Sequence, residues 1–138
     1  MGRPGAGGGS RRLPQPDYDA IIVRGDVDKL VAAAEEIGEV LAAGRLKNSQ
    51  ICGIFASVRQ IQLNWSTNEQ KAYRDAILLK PRIAYTAARN DLVGLDSVLI
   101  EALNRVKGAE AERRERFMRF VDFFEAIVAY HKQKGGAN

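Results

Sequence analysis

The chain has 138 residues, of which 46% are hydrophobic and 28% charged, proportions typical of one folded domain with a single core. No apolar run approaches the ~20 residues that span a bilayer, so we expect no membrane-spanning helix. One cysteine and one histidine supply neither an internal disulfide nor a structural zinc site, which favours a cytoplasmic protein without a metal or other cofactor. The net charge of +4 is uneven, because residues 17–44 hold two basic and seven acidic residues, whereas residues 45–90 hold eight basic and two acidic ones. A basic centre of this kind favours a polyanionic partner.

Residues 1–18 are predicted to be a disordered tail, because glycine at this density leaves the backbone free and contributes nothing to a core. Arg3, Arg11 and Arg12 make the tail basic, but a flexible terminus is favoured over a role in holding nucleic acid. Residues 19–138 are predicted to form one helical domain.

The first predicted helix begins after Asp26, a suitable N-cap, and carries apolar residues at spacings of three and four. We expect it to end at Gly44, in the left-handed conformation that glycine adopts without strain. Its polar side is acidic. One hypothesis is that these acids contact basic residues of a neighbouring copy in a head-to-tail stack, and the alternative is a solvated amphipathic helix.

The second predicted helix starts at an Asn48 or Ser49 cap and has an apolar stripe between Ile51 and Ile61. Cys52 falls on this helix without a flanking motif. We therefore expect a buried or half-buried thiol and not a nucleophile.

The third predicted helix opens with "TNEQ", a capping box formed by Thr67 and Gln70, and ends at Pro81, which lacks a backbone donor. A short fourth helix is predicted to start afresh at Pro81, since proline suits a first helical turn. Arg82 and Arg89 then fall on one face of it. Tyr85 lies between them, where a core position is favoured over stacking on a nucleobase.

A fifth helix is predicted from about Val93 to Gly108, and the last and longest from about Glu110 to Lys134. His131 falls on the apolar stripe of the last helix, so we expect a packed, hydrogen-bonded imidazole. No segment alternates between apolar and polar residues as a half-buried strand does. The predicted fold is all-α, a compact bundle of five or six helices.

Catalytic motifs are missing from the sequence. The acidic residues lie on the polar sides of predicted helices, and "GAGGGS" is followed by no lysine and opens no helix, so it is not a phosphate-binding loop. No nucleophile, base and orienting group occur together. We therefore expect the protein not to be an enzyme.

The main candidate binding residues are the basic residues at the centre of the chain, where acids are few, because arginine and lysine contact phosphate oxygens through charge-assisted hydrogen bonds. Each one is, as an alternative, an exposed solubilising charge. For Lys132 a helix-capping role is slightly favoured over phosphate contact. Arg119 is ambiguous, because Asp122 lies three residues after it. The candidate phosphate-binding residues are Lys47, Arg59, Lys80, Arg82, Arg89, Arg119 and Lys132.

Three stretches, "LKNSQICGIFASVRQIQ", "LKPRIAYTAARN" and "FFEAIVAYHKQKGG", follow one another over most of residues 45–136. Together they resemble the small subunit of type III-A CRISPR effector complexes, a Csm-type helical protein. Two positions depart from the family pattern: Cys52 stands where a basic residue is frequent, and Lys134 where an aromatic residue is common.

The resemblance implies a non-catalytic helical subunit of an RNA-guided antiviral complex. Several copies would stack beside the backbone subunits that carry the guide RNA and would touch phosphates, not bases, of the paired guide and target RNA. The implied partners are guide RNA, target RNA, the backbone and large subunits, and other copies of the chain. RNA and DNA cleavage would belong to the other subunits.

Two other classes of function stay open at this point. A purely structural helical module would use its charges for protein contacts alone, without direct RNA contact. A DNA-binding helix-turn-helix would use the second and third helices, but the connection "NWSTNE" is long and polar and lacks a tight glycine turn.

Overall fold

A computed structural model describes residues 13–136, and six helices make up most of that range. The all-α prediction is confirmed, because residues 13–136 contain no β-strand. A short π-helix comes first, and five α-helices follow it. Their bounds are Asp19–Val23 for the π-helix, Val27–Ala43 for α1, Asn48–Asn64 for α2, Glu69–Arg89 for α3, Leu95–Leu103 for α4 and Glu110–Gln133 for α5.

Helix α5 is the central element of the bundle, packing against α1, α2, α4 and the π-helix, while α3 packs on α2 and α4. Its position follows from its sequence, since phenylalanine recurs on the face that the other helices cover. These rings are fully buried: Phe117, Phe120, Phe123 and Phe124. At the end of α2, the indole of Trp65 stacks on Phe117 with ring centroids 4.9 Å apart. The bounds of α5 agree with the prediction.

Helix α1 begins as predicted, because the Asp26 side chain accepts a hydrogen bond from the Lys29 backbone N–H at 3.1 Å. It also ends at Gly44 as predicted, but the left-handed conformation expected there is not found. Gly44 has a φ of −81°, and the left-handed residue is Arg45, with a φ of 64°. Glycine at position 44 serves close packing instead, since an added Cβ would lie 2.5 Å from a methyl group of Val93.

Helix α3 is continuous through Pro81, so the prediction of two separate helices was wrong. A proline inside a helix removes one backbone hydrogen bond at a cost of ~3 kcal/mol. Leu79 and Ile83 lie on either side of it and are each 2% exposed. Burying two such side chains contributes ~1.5–3 kcal/mol each, which offsets the local cost.

Three further boundaries were predicted imprecisely. The cap of α3 is Asn68, whose side chain accepts from the Lys71 backbone N–H at 3.1 Å, and not Thr67. The N-cap of α2 is Lys47, one residue before the predicted cap. Helix α4 is shorter at both ends than the predicted fifth helix, because a turn precedes Leu95 and another follows Leu103.

The folded body begins earlier than residue 19. Leu13 and Tyr18 lie in the part of the chain expected to be a tail, yet both side chains are buried. Residues 1–12 lie outside the described residues, so their predicted disorder stays a prediction. Within residues 13–136, no helix is both long enough and apolar enough to cross a bilayer.

Candidate nucleic-acid interface

Helices α2 and α3 border an open groove of about 590 Å³. Its apolar lining includes Ile54 from α2 and Leu79 and Pro81 from α3. The continuity of α3 through Pro81 is what makes one unbroken wall of the groove. Polar side chains also line it: Gln50 and Ser57 from α2, and Arg82, Tyr85 and Thr86 from α3.

An arginine and a tyrosine are coupled at the edge of this groove. The Arg89 Nη1 donates to the Tyr85 hydroxyl at 3.0 Å, and the Arg89 guanidinium carbon lies 5.7 Å from the centroid of the Tyr85 ring. Tyr85 is 63% exposed, so the expected core position is wrong. An exposed aromatic ring held by a cation offers one face to a ligand.

The basic side chains around the groove lack acidic partners. Lys47, Arg59, Arg82 and Arg89 are all exposed. Among the ion pairs of residues 13–136, none involves any of these four. The two ion pairs that residues 45–90 do form both use Asp75, and their cations are Lys71 and Arg74. The groove is therefore flanked by uncompensated positive charge.

Only some of the predicted site residues lie at the groove. Arg82 lines the groove, Arg89 contacts it through Tyr85, and the Lys47 backbone N–H donates to the side chain of the lining residue Gln50 at 3.3 Å. Arg59 lies farther along α2, with its guanidinium carbon 5.8 Å from the centroid of Phe55.

The other three candidates lie elsewhere. Lys80 points toward α4, where its Nζ donates to Asn104 Oδ1 at 2.9 Å. Lys132 is exposed in the last turn of α5. Its position near the helix C-terminus suits the capping role that the sequence slightly favoured.

The Arg119 side chain connects α5 to the π-helix through hydrogen bonds. Its Nη1 donates to the carbonyls of Ile22 and Val23 at 3.2 and 2.8 Å, and its Nη2 to Glu115 at 3.4 Å. Gly25, with a φ of 71°, makes room for it, because an added Cβ would lie 2.9 Å from the Arg119 Nε. These contacts occupy the guanidinium in holding the fold, and Arg119 does not line the groove.

The two reactive side chains have different environments. His131 is buried and its Nε2 lies 2.6 Å from the Leu46 carbonyl oxygen, so the predicted packed, hydrogen-bonded histidine is confirmed. Cys52 is exposed, which corrects the expected burial, because it follows Ile51 and points outward from the apolar stripe. Within residues 13–136 no group of three or more His, Cys, Asp or Glu side chains is placed to hold a metal ion.

Most of the groove residues were not predicted as site residues from the sequence, and Gly53 and Ser57 are two examples. Gly53 and Ser57 look like ordinary polar-face residues, and only the pairing of α2 with α3 makes them groove residues. A signal was present at position 53, since glycine in a helix interior is destabilising and needs a reason.

The fold and this surface define a small protein that is all-helical over the described residues and has an exposed, uncompensated basic flank. The model of the Csm2 Type III-A family matches residues 24–137, and the chain belongs to that family. It is a small subunit of type III-A CRISPR effector complexes, as the three sequence stretches predicted. Searches of curated proteins and of solved structures each returned no match.

Proposed function

We propose that this protein is a non-catalytic, cytoplasmic subunit that binds the phosphate backbone of RNA through the flank formed by α2 and α3. Several copies stack along the guide–target RNA, beside the backbone and large subunits of the effector complex. The observation that carries the proposal is the set of exposed cations around the groove that have no carboxylate partner among the described residues.

Unpaired surface cations favour phosphate binding for a physical reason. A cation already in an ion pair must give up that partner before it binds a phosphate, whereas Lys47, Arg82 and Arg89 need not. Releasing the counterions condensed on a polynucleotide then drives association. The N-terminus of α2, which follows Lys47, adds the positive end of the helix dipole.

A test of this proposal removes the two α3 arginines together, in the double variant Arg82→Ala with Arg89→Ala. Both side chains are exposed, so the fold is expected to persist. If each exposed contact contributes ~0.7–1 kcal/mol, affinity for single-stranded RNA falls about ten- to thirtyfold. The slope of log affinity against log salt becomes shallower by about 1.4, since each phosphate contact on a single strand accounts for about 0.7. Fluorescence anisotropy over a salt series on unrelated RNA sequences measures both.

A charge-matched control lies on the same helix. Lys71→Ala with Arg74→Ala removes two cations that already pair with Asp75, so it changes the net charge equally without touching the groove flank. We expect a much smaller loss from this control. Equal losses from both double variants would contradict a localised site, and a loss confined to one RNA sequence would contradict backbone recognition. No loss with either, together with failure to assemble, would favour a purely structural module.

A further inference from the structure

Gly53 has no evident role within the chain itself. It lies in the interior of α2, and nothing among the described residues comes within 4 Å of the position that a Cβ would occupy. Its backbone is helical, so no special conformation requires glycine. Gly38 of α1 is different, because an added Cβ there would lie 2.6 Å from the Cβ of Tyr130. Glycine that is required by neither packing nor conformation, and that faces a groove, is suited to the close approach of a ligand to the backbone.

The groove beside Gly53 has the chemistry of a site for a flat, partly polar ring. Its volume of about 590 Å³ falls in the ~300–1,000 Å³ range of small-molecule sites. Apolar side chains such as Ile54 supply a surface for stacking, and Ser57 and Gln50 supply polar groups. Within residues 13–136 the Ser57 hydroxyl forms no hydrogen bond, and Gln50 uses only its side-chain oxygen, toward Lys47. Its amide nitrogen is therefore available as a donor.

From these observations we infer that the groove between α2 and α3 receives an unpaired nucleobase of the RNA strand whose phosphates Arg82 and Arg89 hold. The inference rests on the proposed function and adds a ligand to the same surface. The base enters over Gly53, where the missing side chain leaves room. Arg82 lines the groove and reaches the phosphate of the same nucleotide, and the exposed ring of Tyr85 covers an adjacent base.

Charge complementarity selects RNA over a protein segment as the occupant. The cations around the groove match a strand that carries one negative charge per nucleotide, and an aromatic ring stacks on any base. A base inside a duplex is not available to the groove, so the site distinguishes single-stranded or flipped-out nucleotides from paired ones. It does so without strong preference among the four bases, which is compatible with backbone recognition.

The experiment combines two substitutions at position 53 with three probes. Gly53→Leu fills the groove from α2, and Gly53→Ala adds a single methyl group where the base would approach the backbone, so it should lose only part of the preference for base-carrying RNA. The probes are a short oligouridylate, an abasic ribose-phosphate oligomer of equal length, and an RNA duplex. We expect the unmodified protein to bind the oligouridylate more tightly than the abasic oligomer by about fivefold to more than a hundredfold, the range found for base stacking on aromatic side chains.

The Gly53→Leu variant should lose that difference, while its affinity for the abasic oligomer and its salt slope stay unchanged. Circular dichroism shows separately that the variant is folded. In a titration with uridine monophosphate, the backbone amide signals of residues 53 and 54 should shift in the unmodified protein and not in Gly53→Leu.

The outcomes separate this inference from the proposed function. Equal affinity for the abasic and the base-carrying oligomer overturns the nucleobase site and leaves backbone binding intact. If Gly53→Leu binds RNA normally but no longer enters the effector complex, the groove receives a protein segment and the inference is overturned. If Arg82→Ala with Arg89→Ala affects no probe at all, the proposed function fails as well.

Discussion

Two glycines in helix interiors are expected to respond to alanine in opposite directions. Replacing glycine by alanine in a helix gains ~1 kcal/mol at either position. At Gly53 nothing opposes that gain, because a Cβ meets no atom within 4 Å. At Gly38 the new Cβ would lie 2.6 Å from the Tyr130 Cβ and 2.8 Å from the His131 backbone nitrogen, so α1 and α5 must move apart. Overpacking typically costs ~1–3 kcal/mol, which leaves Gly38→Ala destabilised by up to ~2 kcal/mol.

Thermal unfolding followed by far-ultraviolet circular dichroism compares the two variants directly. For a chain of this size 1 kcal/mol corresponds to about 3–4 °C in Tm. We expect Gly53→Ala to melt about 3–4 °C above the unmodified protein and Gly38→Ala up to about 7 °C below it. Each variant is the other's control, since the chemical change is identical. An increase in Tm for Gly38→Ala would refute the close contact between α1 and α5, and a decrease for Gly53→Ala would refute the open space at position 53.

Two further predictions concern charged side chains. Arg119→Ala should lower the free energy of unfolding by ~2–3 kcal/mol in urea titrations, because it leaves the Ile22 and Val23 carbonyls without their charged donor. The slope of log RNA affinity against log salt should not change in this variant. A shallower slope in the folded variant would show that Arg119 contacts RNA. Burial, with a smaller contribution from Glu125, raises the pKa of Asp122, so the folded state binds this proton more tightly and stability falls as pH rises through the raised pKa. Asp122→Asn should therefore raise the free energy of unfolding slightly at neutral pH, by less than ~0.5 kcal/mol, and the difference should vanish below the ordinary pKa of an aspartate. A less stable variant at neutral pH would contradict this sign.

Helices with strong apolar periodicity and clear caps were predictable from the sequence. The start of α1 at Asp26 and the bounds of α5 agree closely with the prediction, since capping and amphipathic patterning are local. Pro81 led to a wrong prediction because the backbone hydrogen bond that it removes is evident from the sequence. The free energy that offsets this loss comes from burying Leu79 and Ile83 against other helices. Tertiary burial of this kind has no signature in a short window of sequence.

The candidate site was also predictable only in part from the sequence. The excess of basic over acidic residues in the centre of the chain correctly indicated exposed, unpaired cations such as Arg82 and Arg89. The groove itself depends on which helices become neighbours, and the role of Arg119 depends on carbonyls nearly a hundred residues earlier. Charge alone does not distinguish an arginine that faces solvent from one that holds a backbone turn.

The single tryptophan gives this protein an internal optical reporter. Trp65 is 2% exposed, stacks on Phe117, and has an indole nitrogen without a hydrogen-bond partner in the described part of the chain. Its emission therefore reports a dry, apolar environment at the junction of α2 with α5, and Trp65 does not line the groove. A red shift on adding a ligand would mean that the two helices have separated, whereas occupation of the groove alone leaves the emission wavelength where it was.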